Sequence, residues 1–188
     1  MAMVKPIRPW FKFDGRNGDR TLDQQMQGLT LLRQIVLGKT VLDVGCAEGL
    51  IDFELIKAGA IATHGVEIRP QAVEDAMKLR GPLACAFEVG NADEWQPRRS
   101  YDVVLMLAVL HKLKDPEAAC ARYAECAKEW VVLRLPPRFN NPMVVDERSG
   151  NKPHDIGKVL HRAGFKQHHA TSGYLGEWVG YYRRPSHA

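Results

Sequence analysis

The stretch TVLDVGCAEGL, residues 40–50, sets four apolar or β-branched residues around an acid and then supplies only small residues and a glutamate before the next apolar segment. Residues 40–45 therefore read as an interior strand, and residues 49–58 continue in a helical pattern. In an open parallel sheet the turn between two such elements lies beyond the carboxyl end of the strand, where ligands bind and where the first N–H groups of the helix face outward. Small residues there let backbone approach a ligand. Two readings stay open at this point: a ligand turn, or a tight strand-to-helix connection that holds nothing.

Working outward, short apolar runs recur at GAIATHGVEI (59–68), PLACAFEVG (82–90), YDVVLML (101–107) and WVVLRL (130–135), all expected as strands. Helical patterns fill 70–79 and 115–128 between them, and Asp115, Pro116 and Glu117 supply a cap, a proline at the first position and an acid in the first turn. Apolar strands alternating with short helices describe a parallel sheet covered on both faces. Residues 21–37 place Leu22, Met26, Leu29, Leu32, Ile35 and Val36 at helical spacing, with Gly38 as the expected end of one helix. A last helix is expected over 153–164. FKQHHATS (165–172) and EWVGYYRRP (177–185) then form an antiparallel hairpin that closes the sheet. The intervening PPRFNNPMVVDERSGNK, residues 136–152, carries too many breakers for a regular element and reads as a substrate-facing loop.

Composition narrows the classes. The chain has 188 residues, 45% of them hydrophobic and 26% charged, which fits one globular domain with a full core. Its net charge of +4 is spread along the sequence, which favours a solvated surface over a dedicated nucleic-acid face. Cys46, Cys85, Cys120 and Cys126 show no paired spacing and lie in apolar stretches, as expected of reduced thiols in a cytoplasmic protein. The first ten residues lack the apolar run of a signal peptide, and VVLMLAVL (103–110) is too short to span a bilayer, so no membrane association is expected. The histidines, among them His64, His154, His161, His168 and His169, lack ligand spacing, and no metal is expected.

A second acid strengthens the ligand reading. Glu67 ends the second strand some twenty residues beyond the glycines, where a carboxylate can accept both hydroxyl hydrogens of a ribose. The turn is GxAxG rather than GxGxxG, and Asp43 precedes it, which argues against a dinucleotide.

VLDVGCAEG resembles the first motif of the class I S-adenosylmethionine-dependent methyltransferases, with Ala47 in place of the middle glycine. GVEI (65–68), FEVGNADEW (87–95), YDVVLMLAVLHKL (101–113) and VLHRAGF (159–165) resemble later motifs of the same family in the same order. The resemblance implies an α/β three-layer sandwich: a mostly parallel seven-stranded sheet with an antiparallel C-terminal strand. It implies S-adenosylmethionine as cofactor and S-adenosylhomocysteine as product. Residues 39–188 would form the Rossmann-like catalytic domain, and residues 1–38 an arm and helix covering the cofactor.

Carried over by position, the backbone of Gly45, Cys46, Ala47, Glu48 and Gly49 would lie against the methionine part, with Asp43 organising the turn or reaching the ammonium through water. Glu67 would take the ribose hydroxyls, Ile68 one face of adenine, Asn91 the exocyclic amine and Ala92 N–H adenine N1. Leu107 and Ala108 would bring a backbone carbonyl near the ammonium. Asn91 departs from the aspartate usual in the family, and a turn-forming role is its alternative. His111 is the candidate base, since an imidazole has a suitable pKa for proton removal; a structural imidazole at a strand-to-helix junction is the other reading. Lys112 is expected at the surface and Asp115 as a cap.

No NPPY- or DPPY-like segment follows the fourth strand, which disfavours the subgroup acting on exocyclic amines of bases. In the arm, Trp10, Phe11 and Phe13 stand among Arg8, Lys12, Arg16 and Arg20, as either a hydrophobic anchor or a stacking surface for RNA. The expected activity is methyl transfer to a small-molecule acceptor. An RNA methyltransferase and a noncatalytic cofactor-binding partner subunit are its alternatives.

Overall fold

The structure, a computed structural model, describes residues 9–12, 15, 17–136, 143–145 and 153–185. Phe13, Arg8 and Arg16 of the arm, and most of the expected loop at 136–152, lie outside the described residues. Seven strands form one sheet in the order β3-β2-β1-β4-β5-β9-β8. The first five are β1 (Thr40–Val44), β2 (Ala62–Glu67), β3 (Cys85–Val89), β4 (Tyr101–Leu107) and β5 (Ala127–Leu135), all parallel to one another. The C-terminal β8 (Lys166–Ser172) and β9 (Trp178–Arg183) pair antiparallel, and β9 runs antiparallel to β5. The expected sheet and its closing hairpin are present.

Strand order reverses between β1 and β4, so a crevice opens beyond their carboxyl ends. β1 and β4 are central and buried on both sides, which explains why they read as near-continuous apolar runs. Two layers cover the sheet. One core packs Leu42, Val104, Met106 and Val131 against α5 (Pro116–Cys126) and α6 (Ile156–Arg162) through Tyr123 and Leu160. The other packs Val41, Val103, Leu105 and Val132 against Phe11, Leu29, Leu32, Val36 and Leu55. Leu55 belongs to α3 (Leu50–Lys57), and α4 (Pro70–Leu79) flanks β2 and β3.

Three expectations need correction. Residues 21–37 do not form one helix: α1 (Leu22–Met26) ends at Gln27, and α2 (Thr30–Ile35) starts afresh. Gly28 breaks it with φ +78, and a Cβ there would stand 3.0 Å from the Ser172 carbonyl oxygen and the Val179 side chain. The residue must be small because the hairpin passes directly over it. Within 136–152, Met143–Val145 is a strand, β6, which pairs antiparallel with Pro153–Asp155, β7. The last helix consequently starts at Ile156 rather than 153, capped by the Asp155 carboxylate on Lys158 N–H at 2.9 Å. Among the described residues no helix is long and apolar enough to cross a membrane.

Candidate functional site

A cavity of about 420 Å³ opens where the strand order reverses. Gly45 and Ala47 from the turn after β1, Glu67 and Ile68 from the end of β2, Asn91 and Ala92 after β3, and Leu107 at the end of β4 all line it. Those seven positions were expected at the site and stand together. Trp10, Arg69, Asp93, Val109, Lys112 and Leu113 complete much of the wall. Lys112 is exposed, as expected, and it also borders the cavity because the chain leaves β4 through a one-turn 3-10 segment, Leu110–Lys112.

The turn is built by backbone that few side chains tolerate. Gly49 starts α3 at φ +73, and a Cβ there would lie 2.5 Å from the Phe87 ring. Ala47 holds φ +51 and Ala108 holds φ +58. Of the three non-glycine residues with positive φ among those described, these two line the cavity. Left-handed backbone costs a non-glycine residue about 1–2 kcal/mol, and such strain gathers at sites that bind or react. Alanine in place of the middle glycine thus keeps the turn and carries strain in it.

Glu67 is 6% exposed and faces the turn. Its Oε2 accepts the Ala47 N–H at 3.0 Å, and its Oε1 accepts Arg69 N–H and Arg69 Nε, each at 3.0 Å. Ile68 beside it is 58% exposed, an apolar surface on the cavity wall with space in front of it. Asn91 Oδ1 accepts Asp93 N–H at 3.1 Å, so Asn91 forms the turn as well as lining the cavity. The Ala92 carbonyl is taken by Tyr123 hydroxyl at 2.8 Å and by Arg122 Nη2 at 2.8 Å, while its N–H donates to no described residue.

Asp43, Cys46, Glu48 and Gly49 do not line the cavity. Asp43 lies behind the turn, where burial, Asp52 and Glu67 raise its pKa well above the usual carboxylate range. Asp52, from α3, is buried beside it and raised to about 7, chiefly by burial. Burial and mutual repulsion thus favour the protonated form in this carboxyl pair. Asp52 went unnoticed in the sequence, where an acid in the first turn of a helix reads as a favourable charge on the helix dipole. Cys46 is 3% exposed, and burial followed by the neighbouring carboxylates pushes its thiol up, which makes it a packing residue rather than a nucleophile.

Glu48 anchors the arm. Its carboxylate is buried and accepts Trp10 N–H at 3.0 Å and Phe11 N–H at 3.1 Å, with Arg69 Nη2 at 3.5 Å. The Trp10 ring, on the cavity wall, packs under Lys112 Nζ at 4.6 Å from its centroid and beside Arg20 at 5.5 Å. Phe11 is buried in the core of that face, which favours the anchor reading for this aromatic. α1 and α2 contribute no residue to the cavity wall and pack on the sheet instead. His111 is half-buried in the 3-10 turn and stands off the wall, next to Lys112. No group of three or more His, Cys, Asp or Glu residues able to hold a metal is present among the described residues.

Sheet order, strained turn and strand-end acid together define the Rossmann-like architecture of class I methyltransferases. Residues 19–170 match the family model described as methyltransferase domain, and the chain belongs to that family. It is 27% identical over 97 residues to the ubiquinone biosynthesis O-methyltransferase of Shewanella sp. (strain ANA-3), covering 50% of this chain and 41% of that protein. It is 32% identical over 79 residues to the ribosomal protein L11 methyltransferase of Laribacter hongkongensis (strain HLHK9), covering 41% of this chain and 26% of that one. The chain thus spans well under half the length of these curated relatives. Among solved structures, magnesium protoporphyrin IX methyltransferase (ChlM) from Synechocystis PCC 6803 with bound SAM superposes with a TM-score of 0.64 at 20% identity, over 82% of this chain and 74% of that one.

Proposed function

We propose that this chain is an S-adenosylmethionine-dependent methyltransferase acting on a small-molecule acceptor, with the cavity beyond β1 and β4 as its cofactor site. The observation that carries the reading is the donor set around the turn. Glu67 offers a carboxylate where a ribose diol would stand, Ile68 an apolar face for adenine, and Ala92 an N–H with no partner among the described residues for a ring nitrogen. These groups fit the cofactor. Bound there, it would supply an activated methyl group on a sulfonium.

The chain's own contribution is to hold and orient. The backbone of Gly45 and Ala47 would seat the methionine part, and Leu107 and Ala108 would bring backbone polarity toward its ammonium. Asp43, off the cavity wall, supports the turn from behind rather than meeting the ligand. Methyl transfer to a nucleophile needs the reacting atoms in line and a base only where the acceptor carries a proton. His111 is the candidate for that proton, and an acceptor would meet it by reaching over the Leu110–Lys112 turn. The related enzymes are named for ubiquinone biosynthesis, for magnesium protoporphyrin IX and for ribosomal protein L11. Two of these names concern small molecules, which favours that acceptor class here.

Isothermal titration with S-adenosylmethionine, S-adenosylhomocysteine and NAD tests the reading. Saturable heat with the first two and none with NAD is expected. No binding of either sulfur compound to a folded protein contradicts it.

A further inference from the structure

Resting on the cofactor site just described, the hydrogen bonds around Glu67 point to a role for Arg69. A carboxylate has about four lone-pair positions. Three N–H groups already occupy Glu67: Ala47 N–H, Arg69 N–H and Arg69 Nε. A ribose diol brings two more donors, one beyond capacity. The two backbone donors are fixed by the turn and by the entry to α4, whereas the Arg69 side chain is 23% exposed. It is the donor most readily released.

Its next acceptor is in place. Arg69 Nη2 stands 3.5 Å from Glu48 Oε1, and Glu48 is the buried carboxylate that accepts the Trp10 and Phe11 N–H groups. We propose that Arg69 is a positioning residue: as the ribose hydroxyls engage Glu67, its guanidinium shifts onto Glu48 and fixes the arm with Trp10 against the occupied cavity. A charged partner on Glu48 keeps the carboxylate oriented toward the arm amides, where charge-assisted hydrogen bonds are the strong ones. Cofactor binding thereby tightens the docking of the arm, whose amides already rest on Glu48, and firms the surface that meets the acceptor.

Amide hydrogen exchange at Trp10 and Phe11, with and without saturating S-adenosylhomocysteine, reads this directly. In the wild-type protein the ligand should slow exchange of both amides by about tenfold or more, the effect of one charged hydrogen bond. In Arg69→Gln the ligand should still bind, while protection of the two amides stays at its ligand-free level. Arg69→Lys, which keeps the charge without the fork, should regain part of it. Binding to the wild type with no added protection, or equal protection in Arg69→Gln, overturns the role of Arg69 and leaves the cofactor site standing. Failure of the ligand to bind the wild type overturns the cofactor site itself.

Discussion

Glu67 concentrates the chemistry of the site in one side chain. It ties the strained Ala47 turn to the end of β2 and offers its remaining acceptor capacity to the cavity. Replacing it with alanine should weaken S-adenosylmethionine binding by about 1.5–3 kcal/mol, the range for a charged hydrogen bond, measured by titration calorimetry. Unchanged affinity would remove the ribose role. His111 makes the complementary case: His111→Ala should leave cofactor affinity as it is and slow turnover by about 100-fold or more once an acceptor is found. Normal turnover in that variant returns the imidazole to a structural part. Position along the chain marked both residues, since Glu67 ends β2 and His111 lies in the short turn that follows β4. The same reasoning could not place Lys112 on the wall or Glu48 under the arm, because those contacts depend on a turn and an arm whose paths the local pattern does not set.

β1 and α3 meet through a carboxyl pair that the apolar pattern concealed. Asp43 and Asp52 are both buried, with Glu67 and Thr63 of β2, Cys46 of the turn and Arg134 of β5 as their polar neighbours. Asp52 is raised to about 7 in the folded protein against 3.8 ordinarily, so between those values the native state keeps a proton that the unfolded chain has released. Stability from this group therefore falls as pH rises through that window. Asp52→Asn should flatten the fall, and thermal melts of both proteins from about pH 4 to pH 8 check it. Parallel curves would show that Asp52 does not keep its proton in the native state through that window. Elements were legible where burial runs along one short segment, as in β1, β4 and α5. They were not where pairing is remote: β6 exists through its ladder with β7, and the break at Gly28 is imposed by the hairpin lying over it while the apolar spacing of Leu22, Met26, Leu29 and Leu32 runs on.

Across the whole molecule, one buried cation joins the chain's beginning to its end. Arg134, 1% exposed on β5, donates to Gln25 Oε1 at 2.7 Å and to the Gln25 carbonyl at 2.5 Å, and pairs with Glu177 at 3.5 Å. Arg20 reaches Glu177 at 2.9 Å from the other side, and Tyr181 hydroxyl donates to the Gly28 carbonyl at 2.6 Å. This network fastens α1 and the arm to the same sheet edge as the closing hairpin. Arg134→Ala should cost about 3–5 kcal/mol in denaturant unfolding, because Glu177 and the Gln25 carbonyl stay buried with a partner lost. A loss under about 1 kcal/mol would mean that Arg20 alone satisfies Glu177. The parallel sheet and its ligand crevice were readable from the alternation of strand and helix patterns, whereas this tie was not, since an arginine within WVVLRL gives no local sign of its distant partners.

The central claim is that the crevice at the strand-order reversal holds the methyl donor. A crystal structure of the protein with S-adenosylhomocysteine tests it most directly. The account predicts ribose hydroxyls on the Glu67 carboxylate, adenine against Ile68 beside Ala92 N–H, and the amino-acid end along Gly45 and Ala47. Ligand density bound elsewhere on the chain, or a cavity that stays empty at saturating ligand, would contradict it.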